Sequence, residues 1–231
     1  SELSDAEFEA WISLIREKAD AVEEALRCPT SNALRALISK KENDAAKAAA
    51  LKQPLPEGKY RCIVIDPPWK MQKIERTGER PNQVDFDYPT MNEEELGAFD
   101  VASMADDDCH LFCWTTQKFL PMAFRLIPTW GFKYVCTFVW HKPGGFQPIG
   151  LPQYNCEFAL YARKGTPRFL GTTDFFCCFE APRREHSRKP DKFYNVVERV
   201  CPSPRIDVFS RDPRDGFDQF GDETAKFEGA P

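Results

Sequence analysis

The apolar residues follow two different patterns, and the change between them lies near residue 54. In the first part they recur every three or four positions, the spacing of an amphipathic helix. They follow a possible capping box at Ser4 and Glu7 and stand at Phe8, Trp11, Ile12, Ile15, Ala19, Val22 and Leu26. In the second part short apolar runs alternate with longer amphipathic stretches. The pattern predicts a helical appendage over residues 1–53, a linker over 54–59 and an α/β domain over 60–231.

The appendage has two possible interpretations. Cys28-Pro29-Thr30 ends the first helix, and a second helix begins near Ser31 or Asn32. The favoured interpretation is a helical hairpin that packs on the α/β domain or on another subunit, in a homodimer or a heterodimer. The alternative is a helix-turn-helix in which Ser31, Asn32 and Arg35 face DNA.

Within the α/β domain, the apolar runs predict strands and the amphipathic stretches predict helices. Strands are predicted at residues 63–65, 109–114, 133–140, 154–161 and 205–209, with short strand-like runs at 168–170 and 175–179. Helices are predicted at residues 92–99, 117–129 and 190–201. Because strands and helices alternate, we expect a doubly wound, mostly parallel, Rossmann-like sheet.

The first strand ends in the most informative residues of the chain, Asp66-Pro67-Pro68-Trp69. A proline cannot donate to a strand ladder, and Pro68 keeps Pro67 extended, so the strand must stop here. Asp66 is then displayed at the carboxyl end of a buried strand. In an open α/β sheet, that edge is where ligands bind.

These four residues suit methyl transfer to the exocyclic amino group of a base. The 6-amino nitrogen of adenine is a poor nucleophile because its lone pair is delocalised into the ring. Asp66 can accept one N–H and the backbone carbonyl of Pro67 the other, which draws the nitrogen toward sp³ geometry in line with a methyl donor. Trp69 offers a flat face on which a flipped base can stack, worth about 1–3 kcal/mol.

The motif resembles that of a known family, the adenine-N6 methyltransferases with a D-P-P-W active-site motif. They include the catalytic subunit of the eukaryotic mRNA adenosine N6-methyltransferase and DNA-methylating bacterial, phage and ciliate relatives. The resemblance covers roughly residues 60–224 and includes further blocks in family order. These are Tyr88-Pro89-Thr90-Met91, Leu111-Phe112-Cys113-Trp114, Ser187-Arg188-Lys189-Pro190 with Tyr194, and Gly221-Asp222-Glu223. It implies a class I methyltransferase fold in which the target motif precedes the donor site, as in the β-class order.

The resemblance places the S-adenosylmethionine site in the last part of the chain. It implies that Lys189 contacts the donor carboxylate, next to a helix N-terminus that favours anions. Asp222 and Glu223 can accept hydrogen bonds from the ribose hydroxyls. The full set of residues expected to bind the donor is Asp66, Lys189, Arg211, Asp222 and Glu223.

Two residues in this part depart from the family pattern. Asp222 stands where the family usually has asparagine, and Phe209-Ser210-Arg211 lacks a glycine that is often present there. The backbone approach to the methionine part of the donor is therefore expected to differ. The chain has no G-x-G-x-x-G motif, so a nicotinamide or flavin site is not supported.

The net charge of −5 does not indicate a nucleic-acid-binding protein, but the charge is unevenly distributed. Two basic stretches would flank the site in the resembling fold, and we expect both to contact phosphates. The first stretch consists of Lys70, Lys73, Arg76 and Arg80. The second consists of Arg183, Arg184, Arg188, Lys189 and Lys192, of which the three arginines are the predicted phosphate contacts.

The nine cysteines include no C-x-x-C pair and are odd in number. They are expected to be free thiols of a reducing compartment, with no bound metal. No apolar run has transmembrane length and no signal peptide is present, so we expect a soluble intracellular protein.

Three alternatives remain open at this level. The substrate is expected to be DNA, because the compact chain is more similar to the small bacterial and phage relatives, but the motif meets only the base and serves RNA equally. The chemistry would also serve the amino group of cytosine. The chain could instead be a non-catalytic subunit that binds nucleic acid or scaffolds an active partner.

Overall fold

A computed structural model describes residues 54–70, 90–146, 150, 152–183 and 188–221, which all belong to one of the two compact units of the chain. The helical appendage predicted for residues 1–53 lies outside the described residues. The described elements are β1 (Tyr60–Ile65), α1 (Glu93–Ala98), α2 (Val101–Met104), β2 (Ala105–Thr115), α3 (Leu120–Thr129), β3 (Lys133–Phe146), β4 (Tyr154–Lys164), β5 (Cys178–Glu180), α4 (Asp191–Val200), β6 (Arg205–Val208) and β7 (Asp218–Phe220).

The seven strands form one sheet in the order β5-β3-β4-β2-β1-β6-β7. β1 lies between β2 and β6 and is parallel to both. β4 is antiparallel to both of its neighbours, β2 and β3. This mixed, mostly parallel sheet with helices confirms the predicted Rossmann-like α/β class.

The direction of β4 matters for the site. The carboxyl ends of β1, β2 and β6 meet at one edge of the sheet, because parallel strands point the same way. Since β4 runs in the opposite direction, its first residues reach that same edge. Thr115 at the end of β2 pairs with Phe158, so Glu157 lies just beyond the last pair.

A hydrophobic core covers each face of the sheet, and β1 contributes to both. Ile63 and Ile65 belong to the core on the side of α1, α2 and α3, whereas Cys62 and Val64 belong to the core on the side of α4. All four side chains are fully buried. Burying such a side chain contributes about 1.5–3 kcal/mol, so the double burial predicted for this strand fixes it at the centre of the sheet.

The helix boundaries follow local signals. Asn92 and Glu95 form a reciprocal capping box, which confirms the predicted start of α1. α3 begins at Leu120, later than predicted, because the amides of Phe119 and Leu120 both bond to the carbonyl of Thr116 in a preceding turn. None of the described helices is long and apolar enough to cross a membrane.

Two of the short strand predictions were wrong or only partly right. Residues 168–170 form no strand, and only the end of the run at 175–179 joins β5. Phe169 and Phe175 instead pack their rings at 5.0 Å from each other, against His110 and Phe138 on the α4 side of the sheet. Their apolar character reflects this packing of an irregular segment.

Asp207 is an unusual polar residue in the core. It lies in β6 on the α4 side, is fully buried, and neither carboxylate oxygen has a hydrogen-bond partner among the described residues. Burial raises the pKa of Asp207 to about 7, although Ser210, Arg214 and Tyr194 lie near enough to favour the charged form. The folded protein therefore keeps a proton that the unfolded chain releases near pH 4.

We expect Asp207→Asn to change how stability depends on pH. Between pH 4 and pH 7 the folded wild type holds more protons than the unfolded chain, so its stability falls as pH rises and stays low above pH 7. The asparagine variant lacks this loss. We therefore compare the free energies of unfolding of the variant and the wild type by denaturant titration. The difference between them should shift by about 2–3 kcal/mol in favour of the variant from pH 5 to pH 8. A difference that is the same at both pH values would contradict this assignment.

Candidate active site

The turn after β1 is fixed by backbone hydrogen bonds. The amide of Asp66 donates to the carbonyl of Val208 at 3.0 Å, which is the last bond of the ladder. The amide of Trp69 then donates to the carbonyl of Pro67, and the amide of Met91 to that of Pro68, both at 2.8 Å. The structure thus places Asp66 at the carboxyl edge, as predicted.

The carbonyl of Pro67, which was predicted to accept an amino proton of the base, already takes part in a hydrogen bond. Its oxygen accepts the Trp69 amide within the turn. A carbonyl oxygen has two lone pairs, so one acceptor position remains for an amino group.

Trp69 lies in the core, which differs from the prediction that its face stacks a base. Its side chain is only 7% exposed, and its ring stacks on Phe119 with centroids 5.3 Å apart. Its indole N–H donates to the carbonyl of Trp114 at 3.3 Å. In this arrangement Trp69 anchors the turn that carries Asp66.

We therefore expect Trp69→Ala to lower the stability of the protein. Removing a buried tryptophan costs about 3–5 kcal/mol, which denaturant titration would detect. Trp69→Phe keeps an aromatic ring against Phe119 and loses the bond to Trp114, so its cost should be near 1 kcal/mol. Unchanged stability of the alanine variant, together with weaker use of the acceptor base, would restore the stacking role.

Asp66 belongs to a half-buried group of alternating charges at the sheet edge. Lys189 places its ammonium 2.8 Å from Asp66 Oδ2 and 3.5 Å from Glu157 Oε2. Lys142 pairs with the other carboxylate oxygen of Glu157. The four side chains are between 12% and 23% exposed, so the pairs are partly shielded from solvent. The group holds the Asp66 carboxylate against a fixed cation.

The surroundings act differently on the two carboxylates. Burial raises the pKa of Asp66, and Lys189 and Arg211 oppose this while Glu157 adds to it. Burial also works to raise the pKa of Glu157, but Lys189 and Lys142 outweigh it, and the pKa is lowered. Burial works to lower the pKa of Lys189, but the two carboxylates outweigh it and raise that pKa. Glu157 is thus the more firmly ionised acid, and Asp66 the one better able to take up a proton.

Sequence reasoning gave no role to Glu157. It belongs to the site because β4 is antiparallel to β2 and starts at the edge of the sheet where Asp66 lies. An acid near the start of an apolar run was the available signal, but the sequence did not reveal the direction of the strand.

A small cleft opens next to Asp66. Its lining comes from the turn before α4, from α4 itself and from the loop after β6, and consists of Asp66, Arg188, Lys189, Tyr194, Ser210, Arg211, Asp212 and Arg214. The structure thus brings together three of the predicted donor-binding residues, Asp66, Lys189 and Arg211. Asp222 and Glu223 lie outside the described residues.

Gly221, the residue before Asp222, packs against the turn after β6. Its φ is +148°, and a Cβ atom here would lie 3.0 Å from the Cα of Phe209. The amide of Phe209 donates to the carbonyl of Phe220 at 2.6 Å, and Phe209 itself has a φ of 62°. A residue other than glycine would therefore be strained at position 221. This close approach joins the end of the described chain to the loop that carries Arg211.

The predicted phosphate-binding residues have different surroundings. Lys70 and Arg183 are exposed, as such a role requires. Arg188 is buried, and its guanidinium pairs with Asp212, so a surface contact with phosphate is not compatible with its position. The position of Arg188 therefore does not support the predicted phosphate contact. Four of the predicted residues lie outside the described part, namely Lys73, Arg76, Arg80 and Arg184.

Comparison with known proteins decides the family. The model of the MT-A70 family matches residues 60–223, which is most of the chain. The chain belongs to the MT-A70 family. This confirms the resemblance seen in the sequence, the methyltransferase fold and the enzyme class, that of adenine-N6 methyltransferases.

The individual relatives include a type II methyltransferase and several N(6)-adenosine-methyltransferases. The type II methyltransferase M.MunI of Mycoplasma sp is 34% identical over 190 residues, which cover 72% of this chain and 78% of M.MunI. The N(6)-adenosine-methyltransferase MT-A70-like protein of Drosophila melanogaster is 27% identical over 162 residues, and the human catalytic subunit METTL3 is 26% identical over the same length. These matches cover 67% of this chain but only about a quarter of those two proteins.

Membership of the MT-A70 family implies S-adenosylmethionine as the methyl donor, and the residues of the cleft fit such a molecule. Its carboxylate requires cations, which Lys189 and Arg211 supply, and its positive groups require an acid such as Asp66. Arg214 also lines the cleft and adds a further positive charge there. The observed donors and acceptors thus match the charges of the cofactor.

Proposed function

We propose that this MT-A70 protein methylates the N6 amino group of adenine in DNA, with Asp66 as the acceptor of an amino proton. The observation that supports this most directly is the position of Asp66. Its carboxylate ends the central strand, lines the cleft and is held at 2.8 Å by Lys189. The remaining acceptor position on the Pro67 carbonyl lies in the same turn.

Asp66 and Pro67 orient the acceptor nitrogen. Two N–H bonds accepted by a carboxylate and a carbonyl hold the lone pair of N6 toward the methyl group. When bound, S-adenosylmethionine would supply an electrophilic methyl group on its sulfonium sulfur, which would keep the electron pair of the broken sulfur–carbon bond and leave as a neutral thioether. The amino nitrogen becomes acidic as its new bond to carbon forms, and Asp66 takes up the proton that it loses. The raised pKa of Asp66 suits it to this step.

Positioning accounts for most of the catalysis in this proposal. In-line methyl transfer requires that donor and acceptor are held in near-attack geometry. The transfer is direct and forms no covalent enzyme intermediate. The ammonium of Lys189 binds the carboxylate of the donor while it stays paired with Asp66. Arg211, Asp222 and Glu223 complete the donor site, with the two acids accepting bonds from the ribose hydroxyls.

The similarity to M.MunI favours DNA over RNA. The match covers 78% of that type II methyltransferase, whereas it covers about a quarter of the METTL3-type proteins. Lys70 and Arg183 are exposed cations of the described part that could bind phosphates, and Lys73, Arg76, Arg80 and Arg184 would extend them. RNA is the second candidate, because METTL3-type relatives match the same domain. A homodimer or heterodimer partner remains part of the proposal.

The choice of polymer can be tested with matched oligonucleotides. DNA and RNA of the same sequence, single-stranded and double-stranded, are incubated with the protein and labelled S-adenosylmethionine. We expect a higher kcat/KM on one of the DNA substrates. A higher kcat/KM on RNA would overturn the choice of DNA and leave the chemistry of the site intact.

A further inference from the structure

A buried cluster of one acid and two arginines lines the same cleft as Asp66 and Lys189. Arg188 Nε is 2.8 Å and its Nη2 is 3.3 Å from the carboxylate of Asp212, and Arg214 Nη2 is 2.9 Å from the same carboxylate. The three side chains are between 7% and 10% exposed. We refer to Arg188, Asp212 and Arg214 as the arginine clamp.

The clamp joins two loops that both line the cleft. Arg188 precedes Lys189 in the turn before α4, and Arg214 donates to the carbonyl of Lys189 at 3.3 Å. Arg214 also pairs with Asp191, the first residue of α4, at 2.8 Å. The clamp therefore includes the residue just before Lys189, which is Arg188, and contacts Asp191, which lies two residues after it.

Asp212 is itself held firmly in the loop after β6. Its backbone carbonyl accepts hydrogen bonds from the Ser210 hydroxyl at 3.2 Å and from the side-chain amide of Gln219 at 2.9 Å. Its own amide donates to the Ser210 hydroxyl at 3.3 Å. A carboxylate on a fixed backbone is thus placed to determine where the two arginines lie.

We propose that Asp212 is a positioning residue for methyl transfer, which sets the place of Lys189 relative to Asp66 through the two arginines. The proposal rests on the proposed role of Lys189 in holding the donor. Asp212 pairs with Arg188 and Arg214. Without its charge, two buried guanidinium groups lose a shared partner and repel each other, and the turn that carries Lys189 shifts.

The first test compares Asp212→Asn with Asp215→Asn. The asparagine at 212 keeps the size of the side chain and removes the charge, whereas Asp215 is an exposed residue of the same loop. We expect Asp212→Asn to raise the KM for S-adenosylmethionine and its calorimetric Kd by about tenfold, which corresponds to roughly 1.4 kcal/mol. Asp215→Asn should match the wild type.

The pH profile gives a readout that a purely structural role would not change. Lys189, with Arg211, opposes the rise in the pKa of Asp66, while Glu157 adds to it. If Lys189 moves away in the variant, the pKa of Asp66 rises further. As pH falls, kcat then begins to decrease at a higher pH than in the wild type. Asp212→Glu keeps the charge and should restore most of the wild-type profile.

The outcomes separate the clamp from the proposed function. If Asp212→Asn unfolds more easily but keeps the wild-type KM, Kd and pH profile, the positioning role is overturned. If that variant does not fold, Arg188→Lys keeps the charge but loses the two-point contact, and wild-type values there would overturn the proposal equally. Calorimetry needs no acceptor strand, so the clamp is tested even if no polymer is methylated. A wild type that binds no S-adenosylmethionine would instead overturn the proposed donor site, and with it the clamp.

Discussion

Asp66→Asn is expected to reduce methyl transfer by on the order of 10³-fold or more and to change donor binding by only a few-fold. The asparagine side chain has the same shape as aspartate, but it offers one acceptor oxygen and cannot take up the proton that the amino group loses. The measurement is single-turnover methyl transfer, with donor affinity from calorimetry in parallel. Near-normal turnover in the variant would remove Asp66 from the mechanism.

The matched control for this experiment is Asp107→Asn. Asp107 is an exposed residue at the start of β2, at the opposite end of that strand from the catalytic edge, and should behave as the wild type. The wild type should also lose activity as pH falls through the pKa of Asp66, which burial raises above its ordinary range. The acid limb of the rate profile should accordingly lie at a higher pH than an exposed aspartate would give.

Lys189→Met is expected to weaken S-adenosylmethionine binding by about 10²-fold, with a loss of stability in addition. Its ammonium is the cation shared by Asp66 and Glu157, and removing one partner from a buried ion pair typically costs about 3–5 kcal/mol. Two buried carboxylates then face each other, so the pKa of Asp66 rises and residual activity moves to higher pH. Calorimetry and the rate profile measure the two effects separately.

Lys192→Met is the control for that change. Lys192 is an exposed residue of α4, three positions along from Lys189, and its amino group donates to the carbonyl of Glu180 at 3.3 Å. It should bind the donor as the wild type does. Equal donor affinity in the Lys189 variant would show that another residue holds the carboxylate.

The parts of the site that depend on local signals could be predicted from the sequence. Asp66 had to end β1 because two prolines follow an apolar run. The start of α1 at Asn92 was also predicted, and the structure shows the capping box with Glu95 that fixes it. Lys189 was found through the motif around it, and the structure places it against Asp66. In each case the deciding residues are close together in the chain.

The parts that depend on distant partners could not be predicted. Trp69 was expected to stack a base because it offers a flat aromatic face just after Asp66, but Phe119 covers one face of its ring. Arg188 was expected to face phosphate because arginines cluster near it, but it pairs with Asp212 from another loop. A single sequence does not show which residues will meet across the fold, and these contacts decide whether a side chain is exposed.

Strand direction was the other missing information. The apolar run of β4 was predicted, but an apolar run is the same in either direction. Because β4 runs antiparallel to β2, Glu157 lies at the catalytic edge and pairs with Lys142 and Lys189. The second carboxylate of the site follows from topology alone.

The most direct test of the account is to identify the methylated base. DNA oligonucleotides are treated with the protein and labelled S-adenosylmethionine, digested to nucleosides and analysed by mass spectrometry, with Asp66→Asn alongside. The account predicts N6-methyladenine that is absent with the variant. Methylated cytosine, or no methylated base on any strand despite measurable donor binding, would contradict it.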